Sequence, residues 1–200
     1  MTQANARVAD YPIDPRFLER WSPRSYTGEA IPEAELMTLF EAARWAPSSY
    51  NSQPWRFIYA RRDTPSWDLF LDLLNEFNRS WAKDAAAIVI LLSKSTMLPP
   101  GKDREIPSHS HSLDAGSGWA YLALQASISG WPAHAMVGFD MDAAFAKLQV
   151  PQGYRIETAI AIGRQGDKSR LPEAMQAREE PNGRAALETF VMEGRFRSEI

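Results

Sequence analysis

Ala46-Pro47-Ser48-Ser49-Tyr50-Asn51-Ser52-Gln53-Pro54-Trp55 sets hydroxyls and amides between two prolines. Each proline biases the residue before it away from helical geometry, so Ala46 and Gln53 are expected to be extended, with the backbone between them held open. Ser48, Ser49, Asn51 and Gln53 offer donors and acceptors together, which suits a flat heterocycle better than a single charged atom. The same composition also serves a plain polar connection. Upstream, Leu36, Leu39, Phe40 and Ala43 recur at helical spacing behind Pro32, a favoured opener, and Pro47 stops the run. Downstream, Trp55 to Ala60 places apolar residues on alternate positions, as a half-buried strand does. The decapeptide is therefore a helix-to-strand turn, and it commits the chain to mixed α and β elements.

The rest of the chain extends this pattern. Trp67 to Asn78 reads as a second helix, and Ala86 to Leu92 as a strand buried on both faces. Pro99, Pro100 and Gly101 mark a long loop. From Asp114 to Ser129 the apolar residues Trp119, Tyr121, Leu122, Leu124 and Ile128 cover much of a helix circumference, so both sides need cover, and a symmetric partner is a common second cover. Gly130-Trp131-Pro132 ends that helix, a short strand leads to Gly138-Phe139-Asp140, and Ile156 to Ile162 alternates as a further strand. The expected fold class is α+β rather than a βαβ series.

With 200 residues, 44% of them hydrophobic, the chain is read as a single domain spanning 1–200. Residues 164–200 are polar, with Leu187, Phe190, Val191 and Phe196 as apolar anchors, which fits a disordered end or an arm lying on a second subunit. A net charge of -3 argues against a general nucleic-acid surface. The absence of cysteine excludes disulfides, thiolate metal sites, iron–sulfur clusters and a cysteine nucleophile. The stretch Met1 to Arg7 lacks an apolar signal core, and the apolar run Ala85 to Leu92 is too short to span a bilayer, so the reading is no membrane and a cytoplasmic location.

Arg20-Trp21-Ser22-Pro23-Arg24 puts two guanidiniums and a hydroxyl on alternate positions. On an extended segment these project to one side and match a terminal phosphate, although a solvated charged turn has the same composition. Gly116-Ser117-Gly118 lacks the third glycine of a dinucleotide fingerprint and follows no strand. His109 and His111 would share a side of an extended segment, and Asp114 could join them around a metal; a substrate-facing loop or a plain polar turn reads as well, and no metal site is assigned. Ser117 lies in no nucleophile elbow, so Ser-His-Asp hydrolysis has no support.

With R-x-S-x-R near the start and A-P-S-S-x-N-x-Q-P-W after a helix, the chain resembles the nitroreductase family of FMN-dependent oxidoreductases. Leu122 to Ala126 is similar to that family's central interface helix, Met136 to Asp140 to its flavin-contacting turn, and Ala159 to Gly163 to its last core strand. The resemblance implies a mostly antiparallel central sheet flanked by helices, with the C-terminal arm exchanged across a homodimer. It implies that the Arg20-Trp21-Ser22-Pro23-Arg24 segment binds FMN, with Arg20, Ser22 and Arg24 on the phosphate. Pro47, Ser48, Ser49, Asn51 and Gln53 would line the flavin, partly from the opposite subunit. Asn78, with Asn75 as a second candidate, would read the pyrimidine edge, Val137 and Gly138 would bring backbone near flavin N5, and Arg184 would close the phosphate site ahead of Arg178 and the Lys168–Pro172 segment. Trp81 stands where some relatives carry a basic residue. The implied reaction takes hydride from NADH or NADPH onto flavin N5 and passes electrons to a small acceptor, a nitroaromatic or quinone, by a ping-pong route with no catalytic side chain. A flavin-binding storage or sensing protein is the alternative.

Overall fold

The computed structural model describes residues 6–197. Residues 1–5 of the N-terminal reading and residues 198–200 of the C-terminal arm lie outside the described residues. A four-stranded antiparallel sheet, β1 (Trp55–Arg61), β2 (Ala87–Lys94), β6 (Tyr154–Ile162) and β5 (Ala133–Met136) in that spatial order, forms the centre. β2 and β6 are the inner strands, and β2 is buried from Ala87 to Ser93. Strand side chains alternate between faces, so β2 feeds two cores. Ile88, Ile90 and Leu92 pack with Phe70 and Leu73 of α3 (Trp67–Leu73) and Trp81 of α4 (Glu76–Ala82), with α6 (Met141–Lys147) adding Ala144. Val89 and Leu91 face the other way, onto Leu36 and Leu39 of α2 (Glu33–Arg44) and Leu122 and Ala126 of α5 (His111–Ile128). The expected α+β class and mostly antiparallel sheet are thus present.

The remaining elements are short: α1 (Arg16–Glu19), the two-stranded ribbon of β3 (Thr96–Met97) and β4 (Ile106–Pro107), and α7 (Glu173–Gln176). No helix among the described residues is long and apolar enough to cross a membrane.

Three local expectations change. The helix read from Trp67 to Asn78 is two helices: Leu74 turns extended and bridges Phe139, and Asn75 caps α4 by accepting from the Asn78 N–H at 2.9 Å. A short amide at an N-cap outcompetes continuation of the previous helix. α5 starts at His111 rather than Asp114, so His109 and His111 do not share an extended segment. Gln53 is not extended but left-handed at φ 47, as are Tyr50 at φ 50 and Asn51 at φ 54. Local hydrogen bonds hold this unfavourable turn: the Gln53 N–H donates to Ser48 Oγ at 3.0 Å, and its side-chain amide donates to the Asn51 carbonyl at 3.1 Å.

The first half of the C-terminal extension lies on its own chain. Gln165 bridges Tyr26, Ser25 Oγ donates to the Asp167 carbonyl at 2.6 Å, and Leu171 is buried in the first core. Beyond Arg184 the anchors Leu187, Phe190, Val191 and Phe196 are exposed. Ile90→Ala and Leu91→Ala each empty a different core; each is expected to cost about 2–5 kcal/mol, read as a lower denaturation midpoint at unchanged m-value.

Candidate functional site

One carboxylate organises the first corner of the site. Glu179, 8% exposed, accepts at Oε1 from the backbone N–H of Arg24 at 2.7 Å and of Ser25 at 2.8 Å, while its Oε2 has no hydrogen-bond partner among the described residues. Arg7 adds a second stitch: its guanidinium donates to the carbonyls of Asn182 at 2.7 Å, Leu18 at 3.0 Å and Arg20 at 2.8 Å. Both contacts bind the C-terminal segment to the Arg20–Arg24 loop. Between them lies a cavity of about 230 Å³ lined by Arg7, Arg20, Trp21, Ser22, Arg24, His134, Arg178, Glu180, Asn182 and Arg184.

Its electrostatics favour an anion. Burial and then the nearby Arg184 charge pull the Arg20 guanidinium below its ordinary pKa, and burial followed by Arg184 and Arg20 does the same to Arg7. Cations that lower one another's pKa are destabilised until a negative charge enters. His134, on β5, reports the same field. Burial above all, then Arg24 and Arg20, push it down to about 4 against the opposing backbone hydrogen bonds of Pro23 and Ser22. Its Nδ1–H donates to the Pro23 carbonyl at 3.0 Å and its ring packs 4.9 Å from Trp81.

At the other end of β5 stands the second corner. Asn78, 7% exposed, donates from its amide to the Gly138 carbonyl at 2.9 Å, and Asn75 N–H donates to the same oxygen at 3.1 Å. A Cβ on Gly138 would lie 2.6 Å from the amide nitrogens of both Asn75 and Asn78, so any side chain there would have to displace those amides. Val137 beside it is 72% exposed. Four residue steps along β5 and its extension, from His134 to Gly138, span about 13 Å at ~3.3 Å per residue.

Pro47, Ser48, Ser49, Asn51 and Gln53 line neither this cavity nor the adjoining groove. They sit instead at the start of α5, where the buried Asp114 accepts from the Ser49 N–H at 3.2 Å and from Ser110 Oγ at 2.9 Å. Ser48 Oγ is engaged inside the loop by the Gln53 N–H, and the Ser49 N–H by Asp114 of α5. Gly118 of α5 admits Trp55, whose ring would lie 3.4 Å from a Cβ there. A groove of about 740 Å³ runs along α5 past Trp119, Tyr121, Leu124 and Ile128 and reaches Arg20 and Ser22. Nearby, His111 Nδ1 bonds Ser93 Oγ at 2.7 Å, and Ser112 Oγ donates to Glu157 at 2.7 Å. His111 and Asp114 are committed to different partners, and among the described residues no group of three or more His, Asp or Glu converges as a metal site.

The model of the nitroreductase family matches residues 18–66, which contain both the arginine-serine loop and the proline-bounded turn. A solved structure of an oxidoreductase containing FMN is 44% identical and superposes with a TM-score of 0.93, covering 98% of this chain and 99% of that one. The chain belongs to the nitroreductase family. An uncharacterized 15.4 kDa protein of Mycolicibacterium smegmatis is 33% identical over 70% of this chain and 97% of its own length, and an NADH dehydrogenase of Thermus thermophilus is 26% identical over 73% and 83%. A nitroreductase from Desulfovibrio desulfuricans solved with FMN, 23% identical and covering 94% of this chain and 100% of that one, shares the fold at a TM-score of 0.68.

Within this nitroreductase-family chain the structure brings Arg20, Trp21, Ser22, Arg24 and Arg184 to one cavity, and Asn78 with Val137 and Gly138 to one corner. Arg178 lines the cavity beside Arg184, whereas Lys168 and Arg170 do not. Trp81 is not at an open edge: it is buried between Tyr26 and His134. Sequence reasoning missed Arg7, His134, Glu179 and Asn182, and it named Asp114 only as a metal ligand, not as the acceptor of the Ser49 N–H. Glu179 lies 155 residues from Arg24, and no local motif marks such a contact.

Glu179→Ala leaves two backbone donors without an acceptor and is expected to cost about 2–4 kcal/mol, with the segment after Leu171 becoming the first site of protease cleavage. His134 gives the anion-free protein a pH dependence. Its folded pKa of about 4 lies below the unfolded value of 6.5, so the unfolded chain takes up a proton that the folded chain refuses. Stability is therefore full above pH 6.5 and falls by about 3 kcal/mol as pH drops toward 4; comparison of denaturation curves with His134→Gln isolates this slope.

Proposed function

We propose that the chain is an FMN-dependent oxidoreductase that takes hydride from NADH or NADPH and passes the electrons to a small organic acceptor, such as a nitroaromatic or a quinone, as a cytoplasmic homodimer. The observation that carries the reading is β5 itself, which joins an arginine-lined cavity at His134 to the amide-glycine corner at Gly138. A cationic cavity fits a phosphate, and a corner kept clear by glycine fits the edge of a flat ring. FMN, when bound, supplies the hydride and electron chemistry.

The residues of the chain then have binding tasks. Arg20, Ser22, Arg24 and Arg184 hold the phosphate, with Trp21 walling the cavity. Asn78 orients the ring by its amide, and Val137 and Gly138 offer backbone beside it. Pro47, Ser48, Ser49, Asn51 and Gln53 reach the ring from a second copy, which explains why they stand apart from the cavity within one chain. The groove along α5 and the exposed anchors of the C-terminal arm are the surfaces that this second copy covers. No side chain is assigned as acid, base or nucleophile. A site used by donor and acceptor in turn would give ping-pong kinetics. The NADH dehydrogenase relative supports the choice of donor.

Anaerobic mixing of the FMN-loaded protein with NADH or NADPH, followed by a panel of oxidants, tests the reading. Rapid bleaching of the 450 nm flavin band and recovery on adding acceptor is expected, on the order of 1–10³ turnovers per second. Protein that takes up no FMN overturns it, and tight FMN with negligible bleaching identifies a flavin-binding protein without turnover. Arg20→Ala is expected to weaken FMN about tenfold or more, the worth of one charge-assisted bond, while riboflavin binding stays unchanged. Asn51→Ala is expected to loosen FMN and the dimer together, read by fluorescence titration and sedimentation velocity.

A further inference from the structure

His134 lines the arginine cavity but has no part in the phosphate grip described above. Five guanidiniums share that cavity with it. Arg7 faces it from the N-terminal segment, Arg20 and Arg24 from the loop after α1, and Arg178 and Arg184 from the C-terminal segment. Two acids of that segment offset this charge in part: Glu179, bound to the backbone N–H groups of Arg24 and Ser25, and Glu180 on the cavity wall. From α4 Trp81 packs against it, with Tyr26 behind that ring; its neighbours along β5 are Ala133 and Ala135, and Ala161 of β6 pairs with it. The Nδ1–H bond to the Pro23 carbonyl fixes the tautomer and survives protonation of the ring. A proton can therefore be added without moving the imidazole.

We propose that His134 is a further residue of the phosphate site and takes up a proton when the anion enters, so that FMN binding is proton-linked. The inference rests on FMN placing its phosphate in this cavity. Burial above all, and then the Arg24 and Arg20 charges, disfavour the protonated ring. A dianion reverses the sign of the local field, and the ring becomes a cation that faces it. FMN gains its own second phosphate charge at about pH 6, which by itself tightens binding as pH rises toward that value; proton uptake by His134 acts in the opposite sense and weakens binding as pH rises.

The sequence contains three histidines, so their ring nitrogens can be assigned individually. Long-range ¹H–¹⁵N spectra of the full chain at pH 7 are expected to show neutral, Nδ1-protonated His134 without anion and a doubly protonated ring with inorganic phosphate or FMN. Riboflavin, which lacks the phosphate, is expected to bind and leave His134 neutral. Calorimetry of FMN binding in two buffers of different ionisation enthalpy is expected to show net proton uptake that falls in His134→Gln. FMN or phosphate bound with His134 still neutral overturns this inference and leaves the flavin reading intact. Failure of both FMN and phosphate to perturb any residue of the cavity overturns the two together.

Discussion

The strand β2 has almost nothing polar to offer either face between Ala87 and Leu92, and that constraint shapes the molecule. Both faces must be covered, because burial of each large apolar side chain contributes about 1.5–3 kcal/mol. α2 and α5 cover one face, and α3, α4 and α6 cover the other. The helices on the two faces then meet the sheet ends at different places, and the site grows at those meeting points. α4 brings Asn78 to the end of β5, α5 brings Asp114 under the proline-bounded turn, and β5 connects the cationic cavity to the glycine corner.

Gathering like charges at one cavity is costly. Arg7, Arg20, Arg24, Arg178 and Arg184 line one cavity; burial and then the Arg184 charge disfavour the charged form of Arg20, and burial followed by Arg184 and Arg20 disfavours that of Arg7. Two features hold them there: the Glu179 carboxylate on two backbone donors, and Arg7, which spends its own donors on three carbonyls. Arg7, Arg20 and Arg24 are half-buried while Arg178 and Arg184 are exposed, so solvent carries part of the cost and hydrogen bonds the rest. The strained turn at Tyr50, Asn51 and Gln53 follows the same logic. Three left-handed non-glycine residues in four positions are kept by Asp114 and by bonds inside the loop.

Much of this was legible from the chain. Alternation at Ile156 to Ile162, the apolar run of β2 and the spacing of Leu36, Leu39 and Ala43 are local periodicities, and each element formed where its period placed it. The break at Leu74 and Asn75 was not, because an apolar stripe continues across it and only the cap and the bridge to Phe139 interrupt the helix. The pre-proline rule failed at Gln53, where the loop's own hydrogen bonds outweigh a steric bias.

By itself the sequence determined the α+β class, the two polar motifs and the order in which they enter the fold, since these depend on residues within a few positions of one another. The tertiary structure alone decided which residues share a site. Arg7, His134 and Glu179 carry no local signature, and their roles arise from contacts between segments more than 100 residues apart, such as His134 with Pro23 and Glu179 with Arg24. The separation of the Ser48–Gln53 turn from the arginine cavity is likewise a fact of packing along α5. Hydrogen bonding and charge act through space, so a constellation assembled from both ends of a chain becomes visible only when the sheet has brought those ends together.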